Sequence, residues 1–425
     1  MVEVSGSPNH SAHYLGIDFG TSGARAIVMD GDRQIQSQIT VNFTGKQDGE
    51  MWRSALFDLL IQIPPAQRQQ IQSIAIDGTS STVLLCDHQG HPLTAPMLYN
   101  DSSGAGVLDQ VKAIAPPHHT VISTTSSLTK LLWLTQTTPL PSSAPSHFLH
   151  QADWLSFLLH GKLGASDYHN ALKLGYDVEN LCYPDWLQQL EVPVRLPEVF
   201  TPGTPIAPVS AEMVDRFGFP SHCLVCAGTT DSIAAFLASG ASSPGEAVSS
   251  LGSTLVLKLL SRTRVDDARY GIYSHRLGDL WLVGGASNTG GAVLKMFFTD
   301  EELGDLSPQI PSDRPSPLDY YPLPKPGERF PINDPNLLPQ LEPSPENPVE
   351  FLHGILESIA RIEARGYHLL QELGATPLTQ VYTAGGGAKN LAWTKIRSRH
   401  LGIPVTPSEQ TEAAYGTALL ASSQV

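Results

Sequence analysis

The chain has 425 residues, which is too long for one compact core and indicates two or three domains. Hydrophobic residues make up 41% of it and charged residues 16%, as in an ordinary soluble globular protein. The formal net charge of −15 argues against nucleic acid or anionic membrane as a partner, because both require a basic surface.

Targeting signals are not evident in the sequence. No apolar run approaches the roughly 20 residues that are needed to cross a bilayer. The first dozen residues contain no arginine and no hydrophobic segment, so residues 1–12 are predicted to be a disordered extension. Four cysteines fit a reducing compartment. We therefore expect a cytoplasmic protein, or a protein of the plastid stroma if the source is a plant.

The first elements along the chain are three short apolar segments, at about 14–19, 24–30 and 33–41, which predict an antiparallel meander. The turn between the first two contains Asp18, Gly20, Thr21, Ser22 and Gly23. Both glycines allow backbone conformations closed to other residues and let N–H groups approach an anion, while the two hydroxyls add donors. Asp18 would repel a phosphate, so its expected role is to hold a divalent cation through water. An ordinary hairpin turn is the alternative interpretation.

A helix at about 51–62 and strands at 71–76 and 82–87 come next. Two apolar segments end in hydroxyl, amide and carboxylate groups, Asp77-Gly78-Thr79-Ser80-Ser81 and Tyr99-Asn100-Asp101-Ser102. Such groups suit a polyol ligand, although turn formation explains them equally well. Helical periodicity follows near 104–114, 127–138 and 148–160.

The second half begins as the first did. A strand at 223–227 and a helix at 231–239 precede two strands, 247–250 and 254–260, that flank the turn Leu251-Gly252-Ser253-Thr254. The repeated pattern indicates two similar α/β domains. Asp231 starts the helix, where the helix dipole favours a carboxylate; it is either a simple cap or an ionised catalytic base.

Residues 304–348 are rich in proline but carry aromatic and apolar side chains, which predicts an ordered loop covering a surface. A long helix at 349–373 and a strand at 380–384 lead to Gly385-Gly386-Gly387, followed by helices at 389–400 and 411–422. Bare glycine backbone suits a flat ligand, and Asn390 offers a donor and an acceptor to a purine edge. Trp393 could stack on that ligand or pack in the core. A glycine-rich connection is the alternative.

Taken in order, these clusters resemble the FGGY family of carbohydrate kinases, of the actin, hexokinase and heat-shock ATPase superfamily. The matching segments are Asp18–Gly23, Lys130–Leu134, Gly228–Asp231, Leu251–Thr254, Gly327–Pro331, Gly385–Trp393 and Glu412–Ala418. The resemblance implies an α/β fold with two RNase H-like domains around a central cleft. It implies a sugar-binding domain at 13–228, an ATP-binding domain at 229–410, and a terminal helix at 411–425 that crosses back between them.

The resemblance also implies ATP-dependent phosphorylation of a sugar hydroxyl, with Asp231 as the general base and Mg²⁺ held near Asp18 and Asp231. The residues implied for ATP are Gly20, Thr21, Ser22, Gly252, Ser253, Thr254, Gly386, Gly387, Asn390 and Trp393. Those expected to contact the sugar are Asp18, Ser22, Gly23, Ser80, Ser81, Asn100, Asp101 and Asp231. The expected partners are a pentulose and ATP, and the chain is expected to be a monomer or a homodimer.

Departures from the family pattern concern the sugar. Ser80-Ser81 stands where xylulokinases carry a Met-His pair, and Asp101-Ser102-Ser103 stands where other members place an arginine. The chain is also shorter than typical members and is similar to cyanobacterial and plant pentulose kinases that act on D-ribulose and are often labelled xylulokinase-like. The expected reaction is therefore D-ribulose to D-ribulose 5-phosphate. The alternatives are a D-xylulose kinase, a weakly active ATP-binding sugar sensor, and phosphorylation of glycerol or a hexulose.

Overall fold

The structure is a computed structural model, which describes residues 12–141 and 144–423. The predicted extension at 1–12 lies outside the described residues except for Ala12, which is buried. The chain divides into two compact units. Unit one contains the described residues up to Ala238 together with those from Glu412 onward, and unit two runs from Ser239 to Thr411.

Unit one contains both strands and helices in its described residues up to Ala238. Its strands are β1 (His13–Phe19), β2 (Gly23–Asp30), β3 (Ile35–Asn42), β4 (Ile71–Gly78), β5 (Val83–Cys86), β6 (Ser146–His150), β7 (Ala165–Asp167), β8 (Val194–Arg195), β9 (Glu198–Phe200), β10 (Pro205–Pro208), β11 (Leu224–Cys226) and β12 (Thr229–Thr230). Its helices in this stretch are α1 (Gly49–Gln62), α2 (Pro65–Arg68), α3 (Leu108–Ile114), α4 (Ser127–Thr137), α5 (Gln151–His160), α6 (Tyr168–Ala171), α7 (Asp185–Gln188), α8 (Ala211–Phe217) and α9 (Asp231–Ala238).

The main sheet of unit one has the strand order β10-β11-β4-β1-β2-β3, and β12 also pairs with β4. The meander β1-β2-β3 is antiparallel, as predicted, whereas β4 runs parallel to β1 with Asp77 opposite Asp18. Strand β12 is parallel to β4 and places Thr229 opposite Asp77. The carboxyl ends of β1, β4 and β12 therefore meet at one edge of the sheet, the edge at which open α/β sheets bind their ligands.

The segment 148–160, predicted to be wholly helical, is a strand and then a helix. Residues up to His150 belong to β6, which pairs with β5, and α5 begins at Gln151. His150 caps this helix: its backbone N–H donates to Asp153 Oδ2 at 3.0 Å, and its ring Nδ1 lies 3.0 Å from the same oxygen. The prediction was wrong at its start because a short buried apolar run is compatible with either element.

Unit two repeats the pattern of a sheet covered by helices. Its elements are β13 (Glu246–Leu251), β14 (Leu255–Ser261), β15 (Tyr273–Leu277), β16 (Leu280–Ser287), α10 (Gly291–Leu294), α11 (Asp300–Leu306), α12 (Pro348–Glu372), β17 (Gln380–Ala384), α13 (Leu391–Leu401) and β18 (Val405–Pro407). The strand order is β15-β16-β14-β13-β17-β18, with β13 antiparallel to β14 and parallel to β17. The predicted similarity of the two halves is confirmed at the level of this strand arrangement. The hairpin β15–β16 was missed.

The proline-rich segment of unit two is ordered, as predicted. Isolated bridges join Glu328 to Asp334 and Tyr321 to Gln340. Phe330 is completely buried, and a Cβ atom on Gly285 would lie 2.5 Å from its ring. The loop therefore covers one face of this sheet.

Helix α14 (Ala413–Ser422) closes the chain and packs against β1 and α9 within unit one. Side chains are excluded from both contacts: a Cβ atom on Gly16 would lie 2.0 Å from the Ala414 carbonyl oxygen, and one on Gly416 would lie 1.8 Å from the Ala234 carbonyl oxygen. Because α9 packs with α14, the division between units falls after Ala238 and not at 228/229 as predicted. Among the helices that the structure describes, none is long and apolar enough to span a bilayer.

A buried polar network joins the central strands of unit two to its helices. Arg397 of α13 donates from Nε and Nη2 to the Glu363 carboxylate at 2.6 and 2.7 Å, and from Nη1 to Thr383 Oγ1 at 2.6 Å. Ser249 of β13 donates to Glu363 and lies 2.9 Å from the Tyr367 hydroxyl. Breaking such a buried pair is strongly destabilising, so the network holds β13, β17, α12 and α13 in one arrangement.

Candidate functional site

Three aspartates gather at the strand ends of unit one. Asp18 near the end of β1 and Asp77 near the end of β4 are 5% and 0% exposed, and Asp231 opens α9 as a partly exposed residue. The Ser232 N–H donates to Asp231 Oδ1 at 2.6 Å, so this carboxylate is placed at the helix start. The carboxylate thus lies in the first turn of α9, and its partial exposure leaves it accessible.

The charges of these aspartates are coupled. Burial raises the pKa of Asp18 to about 6; a hydrogen bond from Asp77 opposes this rise, and the negative charge of Asp231 adds to it. The pKa of Asp77 lies well above its usual range, first because of burial and then because of the Asp18 charge. We conclude that Asp77 is a neutral acid that donates to the Asp18 carboxylate, while Thr417 of α14 donates to Asp77 Oδ2. Asp77 is therefore occupied inside the protein and does not serve a polyol.

The donor set suits a hard divalent cation. The Asp18 and Asp231 carboxylates are close enough for their charges to interact, and Arg25 Nη1 lies 3.8 Å from Asp18 Oδ2. Within residues 12–141 and 144–423, no group of three or more His, Cys, Asp or Glu side chains is arranged to hold a metal ion. Mg²⁺ ordinarily takes one or two carboxylates and completes its shell with water and substrate phosphates, so the pair Asp18 and Asp231 fits it.

The first turn is a closed hairpin in which the Gly20 N–H donates to the Gly23 carbonyl at 3.0 Å. Neither glycine has a positive φ, so the turn does not use the left-handed conformations that glycine allows. Gly23 is required instead by strand pairing, because a Cβ atom there would lie 2.7 Å from the Val41 carbonyl oxygen. At Gly20 the nearest atom would be 3.5 Å away. Thr21 and Ser22 are exposed, as a ligand-binding turn requires.

Two further turns of unit one carry the residues predicted to contact a sugar. In the first, which we name the serine turn (residues 79–82), Ser80 is partly exposed and Ser81 is buried with a φ of 61°. In the second, the asparagine turn (98–101), Asn100 is exposed and Asp101 is partly exposed. Both segments are therefore turns in which Ser80, Asn100 and Asp101 keep accessible surface.

A buried lysine joins these two turns, and sequence reasoning missed this link. Lys130 Nζ donates to the Ser81 carbonyl at 2.7 Å and to the Leu98 carbonyl at 2.6 Å. The sequence singled out Lys130 only as part of a family signature. The signal that could have found it is a lysine within an otherwise apolar helix face.

A serine–histidine–aspartate arrangement also lies in unit one. His150 Nε2 is 3.0 Å from Ser127 Oγ and His150 Nδ1 is 3.0 Å from Asp153 Oδ2. Ser127 and His150 are 0% exposed, so no substrate reaches the hydroxyl. The arrangement fastens α4 to the start of α5 and does not provide hydrolytic chemistry.

The second turn, Gly252–Thr254 in unit two, is held by the backbone that follows β16. The Gly291 and Ala292 N–H groups donate to the Gly252 and Ser253 carbonyls at 2.8 and 3.0 Å. Gly290, with a φ of 143°, allows this approach, since a Cβ atom there would lie 2.7 Å from the Thr254 carbonyl carbon. Gly252 and Ser253 remain exposed.

Glu328 holds residues 287 and 288, which directly precede the backbone that supports the second turn. Its carboxylate accepts hydrogen bonds from Ser287 Oγ at 2.5 Å, from the Asn288 N–H at 2.7 Å and from the Tyr321 hydroxyl at 3.1 Å. The proline-rich segment thus positions the residues that support the second turn.

The triple glycine follows β17, and its members differ. Gly385 has a φ of 84°, and a Cβ atom there would lie 2.7 Å from the Leu251 carbonyl oxygen, so its backbone packs on the second turn. Gly386 is exposed and has no atom within 4 Å of an added Cβ. Gly387 packs against Trp393, whose ring an added Cβ would approach to 2.7 Å. Bare, accessible backbone is therefore found at Gly386.

Two predicted adenosine contacts have structural roles. Trp393 is 2% exposed and offers no free face to a base, so packing and not stacking is its role. The Asn390 amide is engaged at both ends: Oδ1 accepts from the Trp393 N–H at 3.0 Å, and Nδ2 donates to Ser307 Oγ at 2.9 Å. Asn390 caps α13, which corrects the prediction of a free amide for a purine edge.

Comparisons with known proteins identify the two halves of the chain. Residues 13–238 match the N-terminal domain of the FGGY family of carbohydrate kinases, and residues 247–425 match its C-terminal domain. The xylulose kinase of Staphylococcus xylosus is 20% identical over 440 residues, covering 97% of this chain and 90% of that protein.

Solved structures show the same fold. The crystal structure of xylulose kinase from Rhodospirillum rubrum superimposes with a TM-score of 0.81 at 20% identity, covering 96% of this chain and 89% of that one. Glycerol kinase from Plasmodium falciparum with ADP gives a TM-score of 0.82 at 17% identity, with coverage of 96% and 89%. Each is a mixed α/β relative of this chain in fold.

The coupled carboxylates predict an unusual effect of Asp18→Asn on the stability of the metal-free, nucleotide-free protein. Because the pKa of Asp18 is raised from 3.8 to about 6, its stabilising contribution is fully present below pH 3.8 and is lost as the pH rises through about 6. The asparagine stays neutral throughout. The variant should therefore melt a few degrees above the wild type at pH 7.5, and the difference should shrink towards pH 4.5.

Thermal unfolding monitored by circular dichroism across this pH range provides the measurement. Asp58→Asn, at an exposed position on α1, is the matched control and should show no such trend. A melting difference for Asp18→Asn that is equal at pH 4.5 and pH 7.5 would contradict the assignment of a raised pKa.

Proposed function

This chain belongs to the FGGY family of carbohydrate kinases, and we propose that it transfers the γ-phosphoryl group of ATP to D-ribulose, forming D-ribulose 5-phosphate. The observation that carries the proposal is the placement of Asp231. It is a partly exposed carboxylate at the first position of α9, close enough to Asp18 to raise the pKa of that residue. A general base needs this combination of access and retained charge.

Asp231 accepts the proton of the attacking sugar hydroxyl in the proposed mechanism. The start of α9 favours its ionised form, because the helix dipole stabilises negative charge there. The bond formed joins the sugar oxygen to the γ-phosphorus, and the bond broken leaves the charge on ADP. Positioning and charge stabilisation supply most of the rate enhancement in such transfers.

Asp18 and Asp231 would hold Mg²⁺. When bound, this ion would neutralise phosphate charge. Asp77 keeps Asp18 in place by its hydrogen bond, and the Thr417 hydroxyl keeps Asp77 in place. The chain's own residues thus orient the metal-binding oxygen atoms in advance.

Nucleotide binding is assigned to exposed backbone. In unit one, Gly20, Thr21 and Ser22 are proposed to contact phosphate. In unit two, the second turn, Gly252, Ser253 and Thr254, is proposed to do the same, and Gly386 and Gly387 are proposed to lie under the adenosine. Their support is the exposure of Gly252, Ser253 and Gly386 together with the open space at Gly386.

Sugar recognition is assigned to the serine turn and the asparagine turn, through Ser80, Ser81, Asn100 and Asp101. D-Ribulose is supported by the resemblance of this chain to short pentulose kinases that act on it, while Ser80, Ser81 and Asp101–Ser103 mark where the chain departs from longer family members. D-Xylulose is the second candidate, because the relative from Staphylococcus xylosus carries the name xylulose kinase.

Asp231→Asn tests the proposed base. The substitution keeps the shape of the side chain and removes its ability to accept a proton, so D-ribulose-dependent ADP release should fall by roughly 100-fold or more. The KM for ATP should rise as well, because Asp231 is also one of the two carboxylates proposed to hold Mg²⁺. A coupled ADP-release assay measures both quantities.

Asp215→Asn, on the exposed side of α8, is the matched control and should retain wild-type turnover. An Asp231→Asn variant that turns over D-ribulose at the wild-type rate would show that another group is the base.

Gly386→Ala tests the nucleotide assignment. An added Cβ meets no atom within 4 Å, so the variant should melt at the wild-type temperature. It occupies the space proposed for adenosine, and the KM for ATP should rise at least about tenfold, the equivalent of about 1.4 kcal/mol of binding. Gly304→Ala on α11 also adds a Cβ into open space and serves as the control. Equal KM values for ATP in both variants would show that adenosine does not bind against Gly386.

A further inference from the structure

Lys130 has an unusual environment for a lysine. Among the lysines that the structure describes, only Lys130 is buried, with a relative exposure of 0%. It is the fourth residue of α4, in a stretch whose neighbours Leu128, Leu131 and Leu132 belong to a hydrophobic cluster. Burying an ammonium group is costly unless it is well hydrogen-bonded, so its partners carry information about its role.

Those partners are backbone carbonyls of two separate turns. Lys130 Nζ donates to the Ser81 carbonyl at 2.7 Å and to the Leu98 carbonyl at 2.6 Å. The Leu98 carbonyl also accepts the Asp101 N–H at 2.9 Å and so closes the asparagine turn. Within the serine turn, the Thr82 N–H donates to the Thr79 carbonyl at 3.1 Å. One ammonium group therefore links the two turns that carry the proposed sugar contacts.

The serine turn needs external support. Ser81 has a φ of 61°, a left-handed conformation that residues other than glycine adopt at an energetic cost. Such a residue persists where its surroundings hold it, and the Lys130 hydrogen bond holds its carbonyl. On the other side of the turn, the Gln151 side-chain oxygen accepts from the Thr79 N–H at 3.1 Å. The turn is thus held from two directions.

Helix α4 is itself fixed at the end that carries Lys130. Ser126 caps the helix by accepting from the Thr129 N–H at 3.1 Å, and Ser127 Oγ lies 3.0 Å from His150 Nε2. All of these groups are buried. Lys130 therefore lies less than one helical turn from the end of α4 that these hydrogen bonds hold in place.

We propose that Lys130 is a positioning residue for the sugar: it sets the separation and orientation of the serine turn and the asparagine turn, and thereby the affinity for the sugar. The proposal rests on the proposed function of these turns. Lys130 contacts backbone carbonyls and none of the reacting atoms, so its effect reaches the substrate through Ser80, Ser81, Asn100 and Asp101. Charge-assisted hydrogen bonds suit this task because they are shorter and stronger than neutral ones.

Lys130→Met tests the proposal in the full-length protein. Methionine retains an apolar stem and removes all three donors. The KM for D-ribulose should rise at least tenfold, while the KM for ATP stays within twofold of the wild-type value. A merely structural loss would reduce the active fraction and leave both KM values unchanged. Lys162→Met, at an exposed lysine of the same unit, is the matched control.

A double-mutant cycle with Ser81→Gly identifies the pathway of the effect. Glycine adopts a φ of 61° without assistance. The fold increase in the KM for D-ribulose that Lys130→Met causes should therefore be at least three times smaller in the Ser81→Gly background than in the wild type. If Lys130→Met does not fold, Lys130→Gln, which retains N–H donors at shorter reach, should still raise the KM for D-ribulose at least threefold.

The outcomes separate the two proposals. A wild-type protein without sugar-stimulated ADP release contradicts the proposed function itself. An active wild type whose Lys130→Met variant, or Lys130→Gln if the former is unfolded, keeps the wild-type KM for D-ribulose overturns the role of Lys130 alone.

Discussion

Crowding of negative charge at the strand ends of unit one is the constraint on which the account depends. Parallel pairing of β1 with β4 puts Asp18 opposite Asp77, and parallel pairing of β12 with β4 brings Asp231 to the same edge. Burial is the main cause of the raised pKa of Asp18, and the negative charge of Asp231 adds to it. The protein resolves part of the conflict by keeping Asp77 neutral. The proposed Mg²⁺ would relieve the remainder, which links the cost in the metal-free protein to the chemistry proposed for it.

Each unit supports the turns that we propose to bind ligand with buried polar contacts. In unit one, α14 packs on β1 and α9, and its Thr417 donates to Asp77, so a helix at the end of the chain orders residues near the beginning. In unit two, Arg397 and Glu363 join the helices to β17 and β13, from which the triple glycine and the second turn emerge. Buried ionic groups are weak evidence for added stability, but they do specify one geometry in some systems. We assign that role to both networks.

Much of the site could be predicted because its residues lie in short contiguous motifs: Asp18 and Asp231 were identified together with their turns. Asp77 and Lys130 could not be interpreted from sequence, since their roles come from contacts with residues distant in the chain, such as Thr417 and Ser81. Gly23 was identified for the wrong reason, because the strand that approaches it is not visible in a local pattern. The sequence left open whether Trp393 stacks on a ligand or packs in the core, and its burial shows that it packs. Hairpin β15–β16 was missed altogether.

The most direct measurement is ADP release and sugar phosphate formation by the wild-type protein with Mg²⁺ and ATP, compared for D-ribulose, D-xylulose, L-ribulose, glycerol and no sugar. The account predicts one D-ribulose 5-phosphate for each ADP, little ADP release without sugar, and the highest kcat/KM for D-ribulose. A higher kcat/KM for D-xylulose would make D-xylulose the assigned substrate and would leave the proposed phosphoryl transfer unchanged. Equal ADP release with and without every sugar would contradict the central claim.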